Sequence, residues 1–436
     1  MTAIVVRNAL VVGANPALGD VVVVDGRIAA VGTALDAPAG AKVIDATGCW
    51  VGPGLVDLHA HLREPGDEAA ETIESGARAA ALGGFCAVMA MPNTEPSLDN
   101  VALVAHVLDR GSRCVVDVAV AGAITVGREG ERLAPMAEMA ALGVALFTDD
   151  GRGVQSPAVM RRALQYSAAL GVRLAQHCED ESLVGAGVMN EGALSGRLGL
   201  EGRPALAEEL MVMRDVELVG LTGGAVHFQH LSTARSVEIV VMARARGLDV
   251  TCEVTPHHLT LDESACSTYD PTFKVNPPLR TIGDVEGLRL ALRTGLIDAV
   301  ATDHAPHSPE SKDLPFDDAP AGVLGLEHAA SLTLDALGGL NADPSLFFDV
   351  LSRRPARVAR LDAGHSRSRR GAHGGSLSPG DDAHLVVFDP VERWRADRDR
   401  LASRATNTPY HGRELTGRVR ATIVNGRLVV DNGALA

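Results

Sequence analysis

Eight short apolar runs, alternating with segments of helical character, constrain the fold of this chain more than any other feature. Ser156-Pro157 has the pattern of a helix N-cap followed by proline at the first helical position. The runs lie at 51–58, 85–90, 114–120, 144–147, 172–176, 225–229, 248–254 and 297–301. Many intervening segments stop where a left-handed glycine cap is expected, at Gly83, Gly111, Gly143, Gly171, Gly223, Gly247 and Gly295. This alternation predicts an α/β fold, a closed (β/α)8 barrel of TIM type, with a doubly wound open sheet as the alternative.

Polar residues at the carboxyl ends of these runs favour the barrel. Nearly every run is apolar until its carboxyl end and is then followed by a histidine, aspartate, asparagine or arginine. These side chains are His59, His61, Arg63, Asn93, Asp149, Asp150, His177, His230, Asp303, His304 and His307. Any one of them alone fits a loop or a helix cap. In a closed barrel they converge on one mouth, which is the usual place for catalysis.

The sequence His59-Ala60-His61 predicts a metal-chelating pair. On an extended strand residues i and i+2 project to the same side, so two imidazoles can reach one ion. By itself this spacing also occurs by chance. Four strand-end histidines with two aspartates, however, supply the nitrogen and oxygen donors that Zn²⁺ accepts, with positions left open for water.

The two ends of the chain contain strand-like runs without helical segments between them. Strand-like runs at 4–6, 21–24 and 28–31 include the hairpin signal Asp25-Gly26, and runs at 384–388 and 422–430 include Asn425-Gly426. Because isolated hairpins are marginally stable in water, both ends are expected to complete one small β domain. We therefore predict a β domain from 1–50 and 377–436, and a barrel from 51–362. We assign no function to the Gly/Ser/Arg-rich insert at 364–376.

Composition excludes several classes of protein. With 436 residues and 46% apolar content the chain can bury a large core, and a net charge of −15 argues against nucleic-acid or anionic-membrane partners. The N-terminus lacks a secretory pattern, no apolar stretch is long enough to span a membrane, and six scattered cysteines show no CxxC pairing. A cytoplasmic location is expected. Lysine occurs only at 42, 274 and 312.

An ordered set of motifs resembles the dihydroorotases of the amidohydrolase superfamily, along almost the whole chain. The motifs are DLHAHLREPG (57–66), MPNT (91–94), FTDDG (147–151), QHCED (176–180), HLS (230–232), VNPPLR (275–280), ATDHAPH (301–307), the PF-x-x-AP-x-G-x-x-GLE run (315–327) and NTPY (407–410). The family's fold, a barrel flanked by a β domain from both termini, agrees with the interpretation above.

The resemblance also implies a metal centre of one or two Zn²⁺ per subunit. His59, His61 and Asp303 match the ligands of one ion, and His177 and His230 match those of a second. Many amidohydrolases bridge the two ions with a carboxylated lysine, but no lysine lies between Lys42 and Lys274. The branch that this chain resembles uses an aspartate, and the match falls on Asp150. Asp149 is assigned to the turn or to a neighbouring cation.

The implied reaction is the reversible hydrolysis of (S)-dihydroorotate to N-carbamoyl-L-aspartate in pyrimidine biosynthesis. Asp303 matches the catalytic proton-transfer group. The residues that match the substrate pocket are His61, Arg63, Asn93, Asn276, His307, Ala321 and Gly322. A homodimer and a complex with aspartate carbamoyltransferase are both compatible with the resemblance.

Other interpretations remain open at this point. An allantoinase or hydantoinase would share the barrel and the paired histidines, but would carry a lysine bridge and would not need Arg63. A non-catalytic barrel that supports aspartate carbamoyltransferase would have lost metal ligands, and this chain retains the set. Arg63 could pair with Glu64 or Asp67, Asn276 could shape a turn before two prolines, and Cys178 belongs to the core unless a distorted strand end turns it towards the metal.

Overall fold

The computed structural model describes residues 3–362 and 371–436, so residues 364–370 of the Gly/Ser/Arg-rich insert lie outside the described residues. The strands are β1 Ala3–Val11, β2 Ala17–Val24, β3 Arg27–Gly32, β4 Lys42–Asp45, β5 Trp50–Pro53, β6 Leu55–Ala60, β7 Phe85–Ala90, β8 Asp117–Val120, β9 Leu146–Thr148, β10 Arg173–Gln176, β11 Met189–Asn190, β12 Gly202–Arg203, β13 Val226–Phe228, β14 Val250–Val254, β15 Ala299–Val300, β16 Leu385–Arg395, β17 Glu414–Val424, β18 Arg427–Asp431 and β19 Ala434–Leu435.

Eight parallel strands form a closed barrel. Strands β6, β7 and β8 pair in that order, and β9, β10, β13, β14 and β15 form the second arc. Parallel bridges join the arcs at both seams, from Gly122 to Phe147 and from Ala60 to His304. At the second seam, Thr302 donates from its backbone N–H and its hydroxyl to the Asp57 carboxylate, at 2.8 and 2.6 Å. The predicted barrel is confirmed, and the open sheet is wrong.

Helices surround the barrel strands. The α-helices are α1 Ile73–Leu82, α2 Val101–Gly111, α3 Met136–Ala141, α4 Pro157–Leu170, α5 Glu181–Val184, α6 Ala193–Leu198, α7 Ala205–Thr222, α8 Ala234–Ala245, α9 Ile282–Arg293, α10 Pro309–Lys312, α11 Ala329–Ala336, α12 Pro344–Phe348 and α13 Arg354–Val358. The predicted start of α4 is confirmed, because Ser156 accepts a hydrogen bond from Val159 N and Pro157 occupies the first turn.

Two of the seven predicted glycine caps are wrong. Gly83 has φ −75° and the left-handed turn falls on Gly84, while Gly111 is the last residue of α2 itself. The other five predicted caps have positive φ. A Cβ on Gly111 would lie 2.7 Å from Val118 Cβ, so this glycine permits close packing of a helix on a strand.

The first predicted strand, 51–58, is two strands. Strand β5 pairs with β1 and β16, whereas β6 enters the barrel, and Gly54 separates them. A Cβ on Gly54 would lie 2.1 Å from Cys86 Sγ, so only glycine allows this passage between the two sheets. The barrel strand also continues to Ala60, which places His59 inside the strand and His61 just beyond it.

Both ends of the chain contribute to one nine-stranded sheet. Its order is β19-β18-β17-β16-β5-β1-β2-β3, with β4 paired to β1. The two predicted turns are hairpin turns with positive φ at both central residues, Asp25-Gly26 and Asn425-Gly426. A separate apolar cluster, including Val6, Val51 and Ile423, packs within this sheet. Across the described ranges, no helix is long and apolar enough to cross a membrane.

Candidate active site

Two groups of metal-competent side chains share one aspartate at the carboxyl ends of the barrel strands. His59, His61 and Asp150 form the first group, and Asp150, His177 and His230 form the second. Within each group the candidate ligand atoms lie within 4.8 Å of one another, and all five side chains are buried. Asp150 is therefore the residue common to the two groups.

The two carboxylate oxygens of Asp150 face different histidines. Oδ1 lies 3.3 Å from His59 Nε2, 3.4 Å from His230 Nε2 and 3.7 Å from His177 Nδ1, while Oδ2 lies 3.6 Å from His61 Nε2. Burial would raise the pKa of Asp150, but the surrounding imidazoles, His59 first, hold its pKa well below the usual value. The carboxylate is thus ionised and available as a ligand.

Asp149 faces away from this centre. Its Oδ1 accepts hydrogen bonds from the backbone N–H groups of Ile124 and Thr125, at 2.9 and 3.0 Å, and its Oδ2 accepts from the Thr125 hydroxyl. These contacts tie the end of β9 to the loop after β8. Asp149 consequently has the geometry of a loop-anchoring residue.

Asp303 lies beside the first group without belonging to either. Its Oδ1 is 2.9 Å from His61 Nε2 and 3.5 Å from His59 Nε2. Burial would raise the pKa of Asp303, yet the neighbouring imidazoles of His59 and His61 lower it below the usual range. Asp303 is therefore an ionised carboxylate in contact with the paired histidines.

Three residues at this mouth have a strained backbone. Arg63, His230 and Asp303 have φ values of +59°, +34° and +46°, which non-glycine residues rarely adopt. Such conformations persist only where the surrounding structure holds them, and they cluster at active sites. The barrel framework therefore supports an unfavourable geometry at three predicted site residues.

A layer of acidic and amide groups orients the histidines, and sequence reasoning missed most of it. His59 Nδ1 lies 3.0 Å from Glu253 Oε1, His177 Nε2 lies 3.1 Å from Glu179 Oε2, and His61 Nδ1 lies 2.8 Å from Asn93 Oδ1. Each of these oxygens accepts a hydrogen bond from the ring nitrogen that faces it, so that nitrogen carries the proton. The other ring nitrogen of each histidine then keeps its lone pair for a metal. An acid inside the otherwise apolar strand at 250–254 was the only sequence signal for Glu253.

The same layer continues beneath His59. His227 lies with Nε2 3.0 Å from Glu253 Oε2 and Nδ1 2.8 Å from Thr251 Oγ1. Burial opposes ionisation of Glu253, but hydrogen bonding to His227 and His59 lowers its pKa to about 2. A charged, fully buried carboxylate therefore fixes the imidazole that faces Asp150 and Asp303.

Arg63 occupies a second part of the site with His307. The guanidinium donates from Nε to the Pro306 carbonyl at 3.0 Å, and its Nη2 lies 3.4 Å from His307 Nε2. In residues 3–362 and 371–436 no carboxylate lies within 4 Å of the guanidinium; Glu64 instead pairs with Arg110 at 2.6 Å. Burial lowers the pKa of Arg63, and the carboxylates of Asp67 and Asp303 oppose this shift from beyond ion-pair distance.

The remaining predicted substrate residues fall into two sets. His307 Nε2 lies 2.8 Å from the Ala321 carbonyl, and a Cβ on Gly322 would come within 2.8 Å of the same nitrogen, so these three residues are in contact with one another. Burial and then the charge of Arg63 lower the pKa of His307 to about 3, which makes the imidazole neutral. Asn276 is not linked to this group by any hydrogen bond among the described residues; its Oδ1 is buried without a partner.

Cys178 belongs to the core. The side chain lies in the main apolar cluster with its thiol directed to the Gln176 carbonyl at 3.5 Å, and burial raises its pKa well above the usual value. It is absent from both metal-competent groups of the described residues.

Comparisons with known proteins agree with this site. Residues 48–236 match the family model described as Dihydro-orotase-like. The chain is 48% identical over 416 residues to a protein named dihydroorotase from Pelotomaculum thermopropionicum, covering 95% of this chain and 94% of the relative, and equally to one from Anaeromyxobacter dehalogenans. Among solved structures it is similar to an L-hydantoinase from Arthrobacter aurescens, with a TM-score of 0.88, 25% identity and coverage of 100% of this chain and 98% of that one.

The barrel, the flanking sheet and the histidine–aspartate groups at the carboxyl ends of the strands define a cyclic amide hydrolase of the amidohydrolase type. Hydantoinases share this architecture, so the fold by itself does not separate the members of the class. The sequence identity of 48% over 94% of each of the two dihydroorotases does separate them. The chain belongs to the dihydroorotase family.

Proposed function

We propose that this enzyme catalyses the Zn²⁺-dependent, reversible hydrolysis of (S)-dihydroorotate to N-carbamoyl-L-aspartate, a step of pyrimidine biosynthesis. The observation that carries the proposal is Arg63, a partly buried guanidinium without a carboxylate partner within 4 Å in the described part of the chain, beside the metal-competent groups. A substrate carboxylate supplies the missing counterion, and a planar fork binds it bidentately.

The donor set fits the metal. His59 Nε2 is buried with no hydrogen-bond partner among the described atoms, and it faces Asp150 and Asp303. We assign His59, His61 and Asp303 to one Zn²⁺, His177 and His230 to a second, and Asp150 to the bridge, with one or two ions per subunit. Zn²⁺ bound there supplies Lewis-acid polarisation of the amide carbonyl and lowers the pKa of water.

The protein's own residues supply orientation and proton transfer. Arg63, Asn93 and His307 hold the substrate carboxylate, and Asn276 with the backbone at 321–322 contacts the ring. Asp303 accepts the proton of the water that attacks the ring carbonyl carbon, and delivers it to the ring nitrogen as the carbon–nitrogen bond breaks. Such positioned proton transfer contributes about 10²- to 10⁴-fold in rate.

Hydantoinase activity is the competing function, because similar solved structures include hydantoinases. Two features of this chain oppose it. We assign the bridging position to Asp150, since no lysine occurs between positions 42 and 274, and the partly buried cation Arg63 has no role with a ring that lacks a carboxylate. We also place the enzyme in the cytoplasm, which six buried thiols support.

The test is a parallel assay of the purified chain with dihydroorotate, hydantoin and allantoin, with metal content measured on the same sample. We expect turnover of dihydroorotate and one or two Zn²⁺ per chain. Turnover of hydantoin or allantoin without dihydroorotate would refute the proposal. Activity on dihydroorotate that survives complete removal of metal would refute the metal assignment.

A further inference from the structure

Asn407, the first residue of the NTPY segment, has no role in the proposed function, yet its side chain joins the two backbone segments that form the carboxylate pocket. Its Nδ2 donates to the carbonyls of Ala305 and Gly322, both at 3.0 Å, and its Oδ1 accepts from the His307 backbone N–H at 3.1 Å. The side chain is buried, and its backbone carbonyl accepts from Leu324 N. One amide thus uses both of its donor hydrogens and its acceptor on backbone groups.

The two joined segments are close in space but distant in the chain from Asn407. Residues 305–307 follow the last barrel strand and carry His307, and residues 321–324 supply the carbonyl that contacts its imidazole. Ala305 N also donates to the Val323 carbonyl at 2.8 Å. With φ of +140° at Gly322 and room for no Cβ beside His307, this contact tolerates little displacement.

Displacement of 305–307 would reach Arg63 as well as His307. The Pro306 carbonyl orients the guanidinium through Nε, and the imidazole lies 3.4 Å from Nη2. Asn407 itself makes no hydrogen bond to the histidines or aspartates of the metal-competent groups in the described residues. Its influence is therefore directed to anion binding and not to proton transfer.

We propose that Asn407 is a positioning residue that sets the affinity of the pocket formed by Arg63 and His307 for the carboxylate of the substrate. The identity of that anion as dihydroorotate rests on the proposed function. The three hydrogen bonds between the buried Asn407 amide and the backbone of both pocket segments do not depend on the proposed function.

The experiment compares Asn407→Ala and Asn407→Asp with the parent holoenzyme. Asn407→Ala removes all three hydrogen bonds without adding charge, whereas Asn407→Asp is isosteric, keeps the acceptor for His307 N–H and loses both donors. We expect KM for dihydroorotate to rise about tenfold or more in each, because two or three bonds are lost, while kcat stays within about threefold. Zn²⁺ content should equal that of the parent.

A second measurement does not depend on the substrate. Hydrogen–deuterium exchange of peptides covering 305–307 and 321–324 should be faster in both variants, since the His307 amide and the adjoining backbone lose their support. The matched control is Thr408→Val, which removes only the local bond from Tyr410 N to Thr408 Oγ1 in the same segment. This control should leave KM and exchange in both peptides unchanged.

The outcomes separate the inference from the proposed function. Parental KM, or parental exchange in both peptides, in a folded Asn407→Ala or Asn407→Asp enzyme would overturn the positioning role while dihydroorotase activity of the parent stands. A fall in kcat of about tenfold or more with unchanged KM would also overturn the positioning role. If the parent fails to turn over dihydroorotate, the assignment of the anion falls together with the proposed function.

Discussion

Adjacent aspartates at the end of β9 have opposite surroundings, and this difference leads to the first prediction. Asp150→Ala should lower Zn²⁺ content and reduce the rate by about 100-fold or more, because outer-layer metal residues alone are worth 10- to 100-fold. Asp149→Ala should retain metal but lower thermal stability, since buried donors at Ile124 and Thr125 would lose their acceptor. Metal content and Tm measured for both variants decide between them. Full metal content in Asp150→Ala with loss in Asp149→Ala would reverse the assignment.

Arg63 leads to the second prediction at this scale. Arg63→Lys keeps the charge but loses one of two parallel hydrogen bonds to the substrate, each worth about 1.5–3 kcal/mol, so kcat/KM for dihydroorotate should fall about ten- to hundredfold. Arg63→Met should cost more, because the substrate carboxylate would be desolvated without a cation. Metal content should not change in either variant. A parental kcat/KM in Arg63→Met would show that the guanidinium has no part in binding.

Single residues of the site differed in how far they could be predicted. The residues at strand ends, such as His59 and His177, were identified because they interrupt apolar runs at equivalent positions. Glu253 and His227 were not, because their partners come from different strands and no spacing in the sequence reports that contact. The strained backbone at Arg63, His230 and Asp303 was likewise invisible, since φ depends on the surrounding framework.

At the scale of elements, the seam between β6 and β15 closes the barrel through a buried side chain. Asp57 accepts both the backbone N–H and the hydroxyl of Thr302. Asp57→Ala would leave the buried Thr302 N–H without its acceptor, while the Thr302 hydroxyl keeps the His59 carbonyl at 3.2 Å, so the free energy of unfolding should fall by about 1–3 kcal/mol. Thermal denaturation at a fixed scan rate measures the change. Asp57→Asn is the control, because it keeps an oxygen acceptor, and a Tm for Asp57→Ala equal to that of Asp57→Asn would contradict this account.

Strands and helices were predicted well where an apolar run lies entirely within the barrel. They were predicted poorly where the chain passes from the nine-stranded sheet into the barrel. The runs 85–90 and 225–229 each contain one barrel strand. The run 51–58 was predicted as one strand, although it contains Gly52-Pro53-Gly54 and Gly54 divides it between two sheets. Both sides are buried, so hydrophobicity alone carries no sign of the break.

At the scale of the whole molecule, the prediction concerns dependence on a partner. Both metal-competent groups and the proposed carboxylate pocket are formed within the described residues of this chain, so the purified protein should hydrolyse dihydroorotate without aspartate carbamoyltransferase. The assay is run with and without that enzyme, at a chain concentration whose oligomeric state is measured by light scattering. A rate that appears only when aspartate carbamoyltransferase is added would contradict the prediction, and would favour the supporting-barrel interpretation when metal is also absent.

The sequence by itself determined the eight strand–helix units, the strands at both ends and the residues that reach the barrel mouth. These follow from local periodicity, turn chemistry and the position of polar residues relative to apolar runs, all of which are written in consecutive residues. The tertiary structure alone decided that Asp149 anchors the backbone at Thr125, that Glu253 orients His59 and that Asn407 joins 305–307 to 321–324. Asp149 lies 24 positions from Thr125 in the chain, and Glu253 lies 194 positions from His59. Local sequence carries no information about such distant partners.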